Sequence, residues 1–112
     1  MMHWNILETT QTLANIIAIS NEKPVLIFKH STRCSISETA LGRLERNWND
    51  ANDEKITPYY LDLIAHREIS NAIASTFEVE HQSPQVLIIK NGKSIFDTSH
   101  LAITIPNIMN EL

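Results

Sequence analysis

Apolar and polar positions follow two periods along this chain, and the periods mark its elements. From about Glu8 to Ser20, Leu13, Ile16 and Ile17 recur at helical spacing, and Asn21-Glu22-Lys23-Pro24 breaks the pattern. Val25-Leu26-Ile27-Phe28 is wholly apolar, bounded by Pro24 and polar residues, and predicts a strand covered on both faces. Ile36, Ala40, Leu44 and Trp48 return every four residues and predict a helix with all four on its buried face. The polar run Asn47 to Glu54 ends that helix. Within Ile56 to Leu63, Tyr59, Leu61 and Leu63 alternate against Tyr60 and Asp62, which is the period of a strand. His66 to Phe77 predicts a third helix with Ile69, Ile73 and Phe77 inward.

Ser83-Pro84 opens a further strand, Val86-Leu87-Ile88-Ile89. Asn91-Gly92 is a hairpin signal, and the chain returns through Ser94-Ile95-Phe96. Ile105, Ile108, Met109 and Leu112 sit at the spacing of a terminal helix, with Pro106 in the first turn, where no backbone donor is needed. This order predicts an α/β fold: a mixed central sheet of about four strands with helices on both faces. The first strands pair in parallel across helical crossovers and the last two pair antiparallel. No repeat or linker interrupts residues 1–112, which read as one domain.

Composition narrows the function classes. The net charge of −4 is scattered, with no basic stripe for nucleic acid and no polybasic run for an anionic membrane. Met1-Met2-His3-Trp4-Asn5 carries no leader pattern, and no apolar run approaches the length of a membrane span. The five histidines, His3, His30, His66, His81 and His100, show no metal-ligand spacing, and each reads as a surface or hydrogen-bonded side chain; no metal site is expected. The carboxylates, Asp53-Glu54 included, read as solvated surface. A single cysteine cannot form an internal disulfide, so a reducing, cytoplasmic setting is the expectation.

That cysteine, Cys34, stands where the apolar strand gives way to the second helix. At a helix N-terminus, unpaired backbone N–H groups and the positive end of the helix dipole favour a thiolate. The polar neighbours Ser31, Thr32, Arg33, Ser35 and Ser37 argue against deep burial, and Arg33 and His30 are candidate positive charges near the sulfur. Cys34-Ser35-Ile36-Ser37 has the form C-x-x-S. Ser37 cannot resolve a mixed disulfide. It reads equally as a hydrogen-bond donor to the Cys34 thiolate or as an ordinary first-turn serine.

The block Phe28-Lys29-His30-Ser31-Thr32-Arg33-Cys34-Ser35-Ile36-Ser37 resembles the signature of the YtxJ-type monothiol bacilliredoxins, often labelled general stress proteins. A second block agrees with it: His81-Gln82-Ser83-Pro84-Gln85-Val86-Leu87, Asn91-Gly92-Lys93, Ser99-His100 and Ile103-Thr104. The resemblance implies a thioredoxin-like fold in which Cys34 attacks mixed disulfides between protein cysteines and bacillithiol, a low-molecular-weight thiol. It implies substrate-binding positions at Thr32, Arg33, Ser37, Ser83, Pro84 and His100, with Ser83-Pro84 cis and Ser83 offering backbone hydrogen bonds to the partner. Bacillithiol is then a co-substrate, no cofactor is bound, and the partners are thiol-modified cytosolic proteins. Two positions depart from the family pattern: Ser35 replaces an expected Pro, and Leu101 an expected aromatic residue. Two other readings use the same cysteine: an iron–sulfur carrier like the monothiol glutaredoxins, whose C-G-F-S sequence is missing here, and a non-catalytic thioredoxin-like binding module.

Overall fold

The computed structural model describes residues 2–112; Met1, the first residue of the stretch read as lacking a leader, lies outside them. The wholly buried strand β2 (Val25–His30) forms the centre, because its apolar side chains alternate between two cores. Val25 and Ile27 enter one core, and Leu26 and Phe28 enter the other. The remaining strands are β1 (Asn5–Ile6), β3 (Thr57–Asp62), β4 (Gln85–Lys90) and β5 (Lys93–Ser99). They assemble in the order β1-β3-β2-β4-β5. The pairs β1/β3 and β2/β3 are parallel; β2/β4 and β4/β5 are antiparallel.

The helices are α1 (Thr10–Ile19), α2 (Ser35–Asn47), α3 (Asp50–Lys55), α4 (Arg67–Phe77) and α5 (Ile105–Met109). Leu13 and Ile16 of α1 pack with Ile69, Ile73 and Phe77 of α4 on one face of the sheet. Ala40 and Leu44 of α2, with Trp48 and Ile108, cover the other. The expected mixed sheet with helices on both faces is therefore present. No helix among the described residues is long and apolar enough to cross a membrane.

Local chemistry sets the ends of these elements. Thr9 caps α1 by accepting from the Thr12 N–H at 3.1 Å. The β4–β5 turn places Asn91 at φ 52° and Gly92 at φ 75°, the left-handed pair that suits the twist of a two-residue hairpin. Ser20 holds this turn, its carbonyl and hydroxyl accepting from the Asn91 and Gly92 N–H groups at 2.9 Å each.

Five expectations are corrected. The sheet has five strands, not about four, because Asn5–Ile6 adds a two-residue edge too short to show a period. The polar run after α2 contains α3, nucleated by a reciprocal capping box between Asn49 and Asn52. Ile36 is 51% exposed, unlike Ala40, Leu44 and Trp48. Residues four apart drift by about 40° per step on a helix of 3.6 residues per turn, which carries the first member of the series off the buried face. Leu112 lies beyond the five-residue α5 and is exposed. Asp53 is also not merely solvated surface, since its Oδ1 accepts from the Trp48 indole N–H at 2.9 Å.

Candidate active site around Cys34

Cys34 is the N-cap of α2, with extended backbone (φ −118°, ψ 121°), and is half-buried as a free thiol. Its carbonyl accepts the first helical hydrogen bond, from the Glu38 N–H at 3.0 Å. Its N–H donates to the Ser31 carbonyl at 3.2 Å, which closes a tight turn after β2. The thiol makes no cap bond of its own and stays available for chemistry. Thr32 and Arg33 flank it and are exposed, as is Ser35. Ser35 lets α2 begin without the expected Pro, and its carbonyl accepts from the Thr39 hydroxyl at 3.0 Å.

Ser37 lies one turn into α2 and is fully buried. Its Oγ accepts from the Ser31 N–H at 3.0 Å and sits 2.6 Å from His30 Nδ1. The other ring nitrogen, Nε2, is 3.0 Å from Glu38 Oε1. His30 is buried too, its ring 5.5 Å from that of Tyr60 and 5.7 Å from that of Phe28. Of the two readings left open for Ser37, the resting arrangement shows a hydroxyl engaged with His30 and Ser31. Burial and the acidic neighbours Asp62, Glu38 and Glu45 push the Tyr60 phenol upward, since each disfavours the phenolate.

The Ser83-Pro84 bond is cis. In the β2/β4 register Lys29 faces Gln85, so Pro84 adjoins the end of β2 from which Cys34 departs. Pro84 is buried and Ser83 half-buried. The Pro84 carbonyl accepts from the His100 N–H at 3.2 Å. His100 opens a short 3-10 turn, His100–Ala102, and takes φ 56°. Arg43, on α2, donates to the carbonyl of Ile103 from Nε and Nη2, at 3.0 and 2.8 Å, and reaches the His100 carbonyl at 3.4 Å. The structure thus ties Ser83, Pro84 and His100 into one rim, and Leu101 projects from it 81% exposed.

Three residues here were not singled out from sequence. Glu38 and Arg43 looked like ordinary polar positions of an amphipathic helix. Lys29 follows the apolar run of β2 and reads as its polar boundary, yet it is 0% exposed and its Nζ has no hydrogen-bond partner among the described residues. Burial lowers its pKa to about 8. The alternation of β2 already placed Lys29 in line with Val25 and Ile27, which was the available signal. Nearby His81 is pushed down by burial first, then by the charges of Lys29 and Arg67. No cluster of three or more His, Cys, Asp or Glu residues among those described is placed to hold a metal.

Solved structures share this architecture. A thioredoxin-fold protein aligns with 25% identity and TM-score 0.79 over 95% of this chain and 90% of its own. The thioredoxin of Trypanosoma brucei brucei gives TM-score 0.75 at 13% identity, over 97% and 87% of the two chains. Mitochondrial thioredoxin 3 of Saccharomyces cerevisiae gives 0.70 at 13%, over 96% and 91%. These last two likenesses speak to fold alone. The family model for the monothiol bacilliredoxin BrxC matches residues 5–108, so the chain belongs to the monothiol bacilliredoxin family and is a thiol redoxin of thioredoxin-like fold.

Proposed function

We propose that Cys34 removes a low-molecular-weight thiol, bacillithiol, from mixed disulfides on cysteine-containing proteins of a reducing cytoplasm. The observation that carries this reading is a sole cysteine, free and half-buried, at the N-cap of α2 beside the Ser83-Pro84 rim. The Cys34 thiolate attacks the bacillithiol sulfur of the modified protein. A new sulfur–sulfur bond forms, the old one breaks, and the target cysteine leaves as a thiolate. Cys34 then carries bacillithiol. With one cysteine in the chain, a second thiol from outside must take the bacillithiol over. Thr32 and Arg33 flank the incoming sulfur, while Ser83 offers backbone groups to the partner.

The decisive measurement is the mass of Cys34 adducts after incubation with a bacillithiolated protein and, separately, a glutathionylated one. Transfer of bacillithiol in preference to glutathione, lost in Cys34→Ser, is expected. A Cys34→Ser variant that still strips bacillithiol would overturn the mechanism, and equal transfer of glutathione would overturn the substrate.

A further inference from the structure

Lys29 ends the row Val25, Ile27, Lys29 on β2, and the alternation of that strand turns it toward α1 and α4. Its side chain is fully buried and Nζ has no hydrogen-bond partner among the described residues. A buried ammonium is ordinarily paired, because leaving water without a partner is costly. The groups that could pair it are engaged elsewhere. Gln85 faces Lys29 across the strand pair, but its amide serves its own loop. Gln85 Oε1 accepts from the Gln82 N–H at 3.4 Å, and Nε2 donates to the Glu80 carbonyl at 2.9 Å. Glu8 and Glu68 lie against the two nitrogens of His66, at 3.1 and 3.8 Å. Asp62 Oδ1 accepts from the Ile64 and Ala65 N–H groups.

Other positive and donor groups gather at the same end of the sheet. Ser70, buried on α4, holds its Oγ 3.5 Å from His81 Nδ1. Helix α4 begins at Arg67, and no side chain caps it, so the positive end of its dipole is open. The His81 imidazole is held below its ordinary value by burial first, then by the charges of Lys29 and Arg67, with no carboxylate acting against them. Among the described residues, none of Lys29, Arg67 and His81 forms an ion pair.

We propose that this end of α4 is a binding site for a small carboxylate, seated beside His81 and Ser70 with Arg67 at its mouth and the Lys29 ammonium behind it. One negative charge matches the one buried ammonium. A carboxylate has two acceptor oxygens, so one can meet Lys29 while the other meets Ser70 or His81. Glu68, exposed in the first turn of α4, and Glu80, exposed next to His81, set negative charge around the mouth and disfavour a dianion. Arg67 and His81 are exposed, which leaves the site an entrance from solvent. His81 belongs to the loop that runs into Ser83-Pro84, so an occupant would tie that loop to α4. The site is independent of the chemistry proposed for Cys34.

The test replaces sodium chloride by sodium acetate at constant ionic strength, in the full chain. It reads the thermal midpoint and the NMR titration of the His81 ring. Acetate should raise the wild-type midpoint, because a ligand bound only to the folded state stabilises it. It should also move the His81 titration to higher pH, since a bound anion offsets the Lys29 and Arg67 charges. In Lys29→Met both responses should be lost; the general effect of acetate on protein stability is common to both proteins and cancels in the comparison. Arg67→Gln should need about threefold more acetate for the same response, the scale of one exposed charge. No response in the wild type overturns the site. Equal responses in the wild type and Lys29→Met place acetate on surface charges alone and overturn it too. Should Lys29→Met fail to fold, an Arg67→Gln response identical to the wild type overturns it in its place. Sodium phosphate should move the His81 titration less than acetate does, and a larger movement overturns the carboxylate assignment.

Discussion

Lys29 and His30 are consecutive on β2 and both fully buried, yet they meet opposite fates on opposite faces of the sheet. His30 is hydrogen-bonded at both nitrogens, whereas the Lys29 ammonium has no partner among the described residues. One strand thus carries a satisfied polar group toward α2 and an unsatisfied charge toward α1 and α4.

The unsatisfied charge predicts an unusual pH dependence of stability. Burial lowers the Lys29 pKa from 10.5 to about 8. Below about pH 8 the folded and unfolded chains both hold the proton, and the folded state bears the full cost of the buried ammonium. Between about pH 8 and 10.5 the folded chain gives up its proton first, so this cost disappears as pH rises. The contribution of Lys29 to stability should increase over that window. Lys29→Met should stabilise the protein at pH 7 by about 2–3 kcal/mol, and by much less at pH 10. Urea unfolding of both proteins at the two pH values checks this. A variant no more stable than the wild type at pH 7 would mean that the ammonium finds compensation.

The same substitution should be felt at His81. Its pKa is lowered first by burial and next by the Lys29 charge, with Arg67 behind. Removing the ammonium takes away the second cause and leaves the first. In Lys29→Met the His81 imidazole should titrate at higher pH than in the wild type, without recovering the value of a free histidine. Titration of the His81 ring protons by NMR reads this directly; no upward movement would place Lys29 too far away to act.

Arg43 gives a prediction about the rim. Its guanidinium bonds the carbonyls of Ile103 and His100, and the His100 N–H in turn holds the Pro84 carbonyl. Arg43→Met keeps the apolar stem of the side chain but leaves the Ile103 carbonyl without its guanidinium donor, while the His100 carbonyl keeps only the Ile103 N–H, a cost of about 1–3 kcal/mol. The loosened turn should raise KM for a mixed-disulfide protein more than it lowers kcat, because Cys34 itself is untouched. Denaturant midpoints and exchange kinetics test the two halves, and unchanged stability would show that the turn stands without Arg43.

Much of this was legible in the chain itself. Apolar runs long enough to show a period announced β2, β4, α2 and α4, and the position of Cys34 at the head of a helix followed from where the strand pattern stopped. What stayed hidden has physical reasons. Asn5–Ile6 is too short to display an alternation. α3 has no apolar face to betray it and depends on the Asn49–Asn52 capping box. The partners of Ser37 were hidden because they rest on where β2 delivers His30, a tertiary fact that C-x-x-S spacing does not contain. Lys29 misled because its type outweighed its position, although the two-residue period put it among the core residues.

Leu101 is, with Ser35, one of two positions at which the resemblance leads one to expect another residue, and its setting decides what introducing an aromatic should do. The side chain is 81% exposed on the turn that His100 anchors to Pro84. With so little of it covered, Leu101→Trp should leave stability within about 0.5 kcal/mol of the wild type. The effect belongs to binding instead. A ring on this rim adds flat apolar surface beside the position proposed for the modified cysteine, and contacts of that kind contribute about 0.5–1.5 kcal/mol. A fall in KM for a bacillithiolated protein of about threefold or more is therefore expected, with kcat unchanged because the nucleophile and its hydrogen bonds lie elsewhere. Steady-state kinetics on the two proteins distinguish the outcomes: an unchanged KM would mean that bound partners do not reach this turn, and an altered kcat would mean that the rim influences Cys34 itself.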